Sequence, residues 1–199
     1  MFQQWGVILC ATDGSLDLKN CRAGGVSYKI VPVIMNSDNS VLSVLELPSY
    51  QAFSPVIFPD KVSPLEIELL GIKTAMQATR TLPYRFPCLY VTDSVPAKKL
   101  IVNALQGRFQ RRGGSYMNIE REAEVDMIMD LYRNHSFFSE QYIAIRGHLQ
   151  TDAWNEAFEA FNRENNFGSP VPYPLFEKLR HMNEDVDQMA SYARKMAAA

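Results

Sequence analysis

The chain has 199 residues, 47% hydrophobic and 21% charged, which excludes an intrinsically disordered polypeptide and fits one globular domain with an appendage. A formal net charge of -2 excludes a global basic field, so any attraction for nucleic acid must come from a local patch. The three cysteines, Cys10, Cys21 and Cys88, are odd in number and lack C-x-x-C spacing, which argues against a disulfide framework or a zinc site.

In chain order, residues 5–11 form a short apolar run ending at the turn formers Asp13-Gly14-Ser15, the pattern of a buried strand. Residues 24–34 are rich in β-branched side chains and predict a second strand. Residues 41–47 predict a third, after a polar turn. Short connections make these three an antiparallel meander. Residues 48–62 carry Pro48, Pro55 and Pro59 without a clear period and read as a loop. From Ser63, which forms an S-x-x-E capping box with Glu66, a helix runs to about Thr81 with Leu65, Leu69, Ile72 and Met76 on one stripe. Residues 87–92 predict a fourth strand ending at Asp93-Ser94, and residues 96–105 a helix.

A basic, glycine-punctuated turn follows at 106–115, then a helix over 118–134, a fifth strand over 141–146 and a helix over 152–165. After a proline-rich connector, a last helix carries Phe176, Leu179, Met182, Val186, Met189, Ala193 and Met196 at spacings of three or four. No apolar run approaches the roughly 20 residues of a spanning helix, and no basic segment leads into an apolar core at the start, so a soluble, intracellular protein is expected.

The acidic residues carry the chemistry. Asp13 and Asp93 each end an otherwise apolar strand, and Glu68 lies in the first turns of the helix expected to pack on the sheet. A charge at the margin of a buried face is costly unless something compensates it, and three converging carboxylates raise one another's pKa values. A divalent cation resolves that repulsion, and hard oxygen donors suit magnesium or manganese. Glu66 rivals Glu68; it lies two helix positions away, about 200° round the axis, so only one of them is expected to point inward. Between Ser94 and Asn118 no acidic residue occurs, whereas Lys98, Lys99, Arg108, Arg111 and Arg112 supply positive charge. Such a stretch suits sequence-independent contact with phosphates.

The order of these motifs over residues 5–165 resembles the ribonuclease H family in its type 1 and reverse-transcriptase-associated form. Asp13-Gly14-Ser15 matches the D-G-S that ends the family's first strand, and Gly24-Gly25-Val26 its small-residue second strand. Glu68-Leu69-Leu70-Gly71-Ile72 matches its acidic helix loosely, and Thr92-Asp93-Ser94 its T-D-S. Gly147-His148 matches its G-H, and Asn155-Glu156-Ala157-Phe158-Glu159 its N-E-x-x-D, with glutamate in the last place.

The resemblance implies an α/β fold: a mixed five-stranded sheet, three antiparallel N-terminal strands followed by two parallel ones, flanked by helices. Residues 1–166 would form the nuclease domain, and 167–199 a connector and extra C-terminal helix. It implies an endonuclease hydrolysing the RNA strand of RNA–DNA hybrids with two Mg2+ or Mn2+ ions. Asp13, Glu68, Asp93 and Glu159 would be metal ligands, Asp152 being the rival for the fourth place. His148 would move protons. The basic stretch and Asn155 would hold substrate, and a reverse transcriptase or other polyprotein domain could adjoin the chain. Two alternatives share the fold: an inactive binding module, favoured by Glu159 in place of aspartate, and a metal nuclease for another nucleic acid.

Overall fold

A computed structural model describes residues 3–19, 21–38, 41–106, 126, 128–130, 133, 140–145, 153–165 and 171–199. The four N-terminal strands are β1 (Gln3–Leu16), β2 (Ala23–Asp38), β3 (Val41–Glu46) and β4 (Tyr50–Ile57). Helix α1 (Pro64–Arg80), strand β5 (Cys88–Thr92) and helix α2 (Val95–Leu105) follow. Then come β6 (Glu140–Ala144), α3 (Trp154–Asn165) and α4 (Tyr173–Ala198). Of the helix expected over 118–134, the described residues Asp126, Ile128, Met129, Asp130 and Arg133 are helical. The glycine-punctuated turn lies outside the described residues.

The sheet runs β3-β2-β1-β5-β6. β2 pairs antiparallel with β1 on one side and β3 on the other, and β5 and β6 continue from β1 in parallel. The expectation of three antiparallel strands and two parallel ones therefore describes the central path. β4 is the addition, since residues expected to form a loop pair antiparallel with β2 from Ala23↔Ile57 to Ile30↔Tyr50. Most of its side chains are exposed, so no alternating apolar pattern marks it in the sequence. Its proline is tolerated for a geometric reason. Phe58 N–H donates to the Arg22 carbonyl, so the odd-numbered residues of β4, Pro55 among them, turn their backbone nitrogens away from β2.

Pro32 marks the junction between β3 and β4 on β2. Its carbonyl accepts from Leu47 N–H, but it has no donor to return. β3 pairs from Val33 onward and β4 up to Ile30, so the missing donor falls where one partner strand gives way to the other.

Alternate side chains of the central strands feed two cores. Ile8, Cys10, Ile30 and Tyr90 pack under α1 and α2 with Leu69, Ile72, Met76 and Ile101. Leu9, Ala11, Val31, Val33, Val91 and Ile143 pack under α3 and α4 with Phe161, Phe176, Leu179, Met182 and Val186. The last helix is thus docked along the sheet, and of its predicted stripe Met196 stands out, 49% exposed beyond the end of the contact. The expected capping box at α1 is present: Ser63 Oγ accepts from Glu66 N–H and the Glu66 carboxylate accepts from Ser63 N–H. A cap of this kind contributes about 1 kcal/mol.

At the sheet edge, α3 ends on Asn165, whose carboxamide both accepts from Ala144 N–H and donates to Ala144 C=O, at 3.0 Å each. A side chain there pairs the edge of β6 as a further strand would.

Candidate metal centre

β1 and β5 pair in parallel up to Ala11 opposite Val91, and β1 then continues against β2 to Leu16, so Asp13-Gly14-Ser15, expected to be a turn ending the strand, lies inside it. Two residues further along the chain in each case stand Asp13, within β1, and Asp93, just past the end of β5. Glu68 reaches the same point from the first turns of α1. One carboxylate oxygen from each of the three can be chosen so that all lie within 4.8 Å of one another.

Two glycines make this approach possible. A Cβ on Gly14 would collide with the Ile67 backbone, so only glycine lets β1 run this close to α1 at the residue before Glu68. On the opposite face of the sheet a Cβ on Gly25 would sit 2.5 Å from the Arg194 nitrogen and 2.6 Å from Ala193 Cβ, so α4 too lies directly on the strand. The adjacent small residues of β2 therefore admit a helix on each face, Gly24 lying against Ile67 of α1 and Gly25 against α4.

The electrostatics follow from the crowding. The Asp13 carboxyl is pushed up to about 7, first by burial, then by the charges of Asp93 and Asp187, with the Gly14 N–H opposing. Glu68 is raised well above the ordinary carboxylate range by burial, then by Asp13 and Asp93, although Gly14 N–H and the Thr92 side chain bond to it. Its Oε2 is buried without a hydrogen-bond partner. At 4.8 Å, each ionised pair would cost about 3 kcal/mol at an effective dielectric of 20. The donor set is all oxygen, crowded and under-compensated, which fits a hard divalent cation.

No protein-family model matches the chain, and no curated protein matches it in sequence. Among solved structures, the solution structure of the PFV RNase H domain superimposes with a TM-score of 0.52, covering 98% of this chain and 96% of that one at 14% identity. The chain has the ribonuclease H fold. LC11-RNase H1, isolated from compost, covers 96% of this chain and 98% of its own at 14% identity, with a TM-score of 0.49.

Within this ribonuclease H fold, the expected site residues divide into three groups. Asp13, Glu68 and Asp93 come together. Thr92-Asp93-Ser94 serves twice, because Ser94 Oγ also caps α2 by accepting from Ala97 N–H while Asp93 joins the carboxylates. The rivalry within α1 also has a structural answer. Glu66 and Glu68 are both largely enclosed, contrary to the expectation that only one would point inward, but the Glu66 carboxylate is engaged in the helix cap.

Glu159 and Asn155 are exposed on α3 and are not brought into the carboxylate group. His148, Asp152, Arg108, Arg111 and Arg112 lie outside the described residues. Of the two basic residues described, Lys99 is exposed, whereas the Lys98 ammonium bonds to Asn165 Oδ1 at 2.5 Å and is partly buried, its pKa lowered chiefly by desolvation.

Asp187 on α4, which the sequence reading did not single out, is not one of the three carboxylates that come within 4.8 Å of one another, but its charge is among the causes that raise Asp13. A signal for it was present. Asn183-Glu184-Asp185-Val186-Asp187 repeats the N-E-x-x-D spacing, this time with aspartate last and on the final helix. Its Asn183 Oδ1 is buried without a hydrogen-bond partner, and its Glu184 bonds to the fully buried Arg180 at 2.9 Å.

Proposed function

We propose that the chain is a divalent-metal-dependent nuclease that hydrolyses the RNA strand of RNA–DNA hybrids. The observation that carries this reading is the convergence of Asp13, Glu68 and Asp93 just beyond the last β1–β5 pair, with Glu68 Oε2 left orphaned in the crowd. The PFV domain on which the chain superimposes is by name an RNase H domain, and from it we take the substrate class.

Asp13, Glu68, Asp93 and Asp187 would hold the cations. When bound, the ions supply a Lewis acid for the phosphoryl oxygens and water of lowered pKa. The chain's own part is to hold the ligands in place and to supply negative charge that ion binding neutralises. Asp13 is buried and Glu68 partly buried, which would limit the access of bulk water to these ligands. Asp187 takes the fourth place that the sequence reading gave to Glu159 or Asp152. With aspartate in that place, glutamate at 159 would no longer weigh in favour of an inactive module.

Lys99, together with Arg108, Arg111 and Arg112, would bind the backbone of the hybrid, and His148 would move protons near the site. The test is cleavage of a labelled RNA–DNA hybrid by the wild type, Asp13→Asn and Asp93→Asn, with and without Mg2+. Mg2+-dependent cleavage that falls at least about 100-fold in both variants supports the reading. Undiminished cleavage in either variant overturns it.

A further inference from the structure

Ser27 stands directly across the β1–β2 ladder from Asp13. Its side chain is 1% exposed, and its Oγ donates to the backbone carbonyl of Val186 at 2.6 Å. Val186 immediately precedes Asp187. A single buried hydroxyl therefore connects the strand position opposite one carboxylate to the helix position beside another.

The neighbours of Ser27 on the same face of β2 also meet α4. Gly25 lies against the helix backbone at Ala190 and Arg194 and against the Ala193 methyl, and Lys29 pairs with Asp185 at 2.5 Å. Gly25 sets how closely the helix approaches, but it supplies no directional bond. The Lys29–Asp185 pair is part-exposed and therefore weak. Ser27 alone gives a buried directional contact, and it acts at the turn that carries Asp187. The Val186 carbonyl lies in the middle of α4, so the hydroxyl fixes the helix both along and about its axis.

We propose that Ser27 is a positioning residue for the metal centre, setting Asp187 against Asp13 through the Val186 carbonyl. This deepens the proposed nuclease reading and rests on it. Ser27 touches neither ion nor substrate. Residues that orient ligands in this way typically change metal affinity or activity about 10- to 100-fold when altered.

The experiment is a double-mutant cycle on Ser27→Ala and Asp187→Asn, read by Mn2+ titration calorimetry and by kcat and KM on a labelled hybrid. The expected result is that Ser27→Ala weakens Mn2+ binding and lowers kcat about 10-fold or more, with KM for the hybrid unchanged. In the Asp187→Asn background the same substitution should have little further effect on either quantity. A merely structural role would lower melting temperature equally in both backgrounds and leave the coupling in Mn2+ affinity at zero. Should Ser27→Ala fail to fold, Ser27→Cys fills the site with a slightly larger side chain and only a weak S–H donor, and carries the same cycle. Wild-type Mn2+ affinity and kcat in the folded Ser27 variant overturn the inference while leaving the nuclease reading intact. A wild type that binds no Mn2+ overturns both.

Discussion

Gly14 and Ile67 meet backbone to backbone: the hydrogen of Gly14 occupies the space in which any side chain would strike the Ile67 carbonyl. Because Ile67 precedes Glu68 and Gly14 follows Asp13, this contact sets the distance between two of the converging carboxylates. Gly14→Ala has no flexible neighbour to displace, only helix backbone. We expect it to cost about 2 kcal/mol or more through strain and separation of β1 from α1. Urea denaturation measures the cost. The same variant should bind Mn2+ more weakly than wild type, and a wild-type affinity would show that the contact does not control the site.

The raised carboxyls predict how stability depends on pH without metal. Asp13 in the folded protein titrates near 7, against 3.8 for an ordinary aspartate. Between those values the unfolded chain has lost its proton and the folded one keeps it, so stability falls as pH rises from about 4 to 7 and levels off above. Glu68 is shifted in the same direction and adds to the fall. In EDTA the melting temperature should therefore be lower at pH 8 than at pH 5. Asp13→Asn should recover on the order of 2–4 kcal/mol at pH 8 by removing the buried charge. Added Mg2+ should stabilise the wild type at pH 8 and have much less effect on Asp13→Asn. A melting temperature that rises from pH 5 to pH 8 in EDTA would contradict the assignment.

How much of this could be read in the sequence depended on whether a residue's task leaves a local mark. Asp13, Glu68 and Asp93 were legible because each sets a charge beside an apolar run, Asp13 and Asp93 after one and Glu68 within the stripe of α1. The central strands and α1 were legible because burial imposes periodicity and Ser63 starts the helix with a cap. β4 was not, since an edge strand with both faces largely exposed carries no alternation, and Pro55 argued against it until the outward direction of its missing donor was known. Asp187 was hidden for a different reason. Two segments carry the same N-E-x-x spacing, and besides the aspartate that ends the second, the packing of α4 against Gly25 and Ser27 distinguishes them.

That distinction yields a paired experiment. Asp187 lies close enough to Asp13 to raise its pKa, whereas Glu159 is exposed on α3. Asp187→Asn should lower hybrid cleavage about 10- to 1000-fold and weaken Mn2+ binding, while Glu159→Gln should leave both within about twofold of wild type. Since Asp187 is also a source of repulsion, its neutralisation should lower the Asp13 pKa and ease the loss of metal-free stability towards pH 8. Loss of cleavage in Glu159→Gln with normal activity in Asp187→Asn would restore the original assignment.

Lys98 and Lys99 are neighbours in sequence but do different work. Lys98 is drawn to Asn165, which also pairs the open edge of β6 through Ala144. Lys99 projects into solvent on the stretch that lacks acidic residues. Asn165→Ala would leave Ala144 N–H and C=O without their side-chain partner and should destabilise the protein by about 1–3 kcal/mol, measured by urea denaturation. Lys98→Ala should cost stability as well, by a smaller amount because its ammonium is partly exposed. Lys99→Ala should leave stability within about 0.5 kcal/mol. It should instead weaken hybrid binding uniformly across sequences and reduce the slope of log affinity against log salt by about 1, the signature of one lost phosphate contact. A salt slope that changes for Lys98→Ala and not for Lys99→Ala would exchange the two roles.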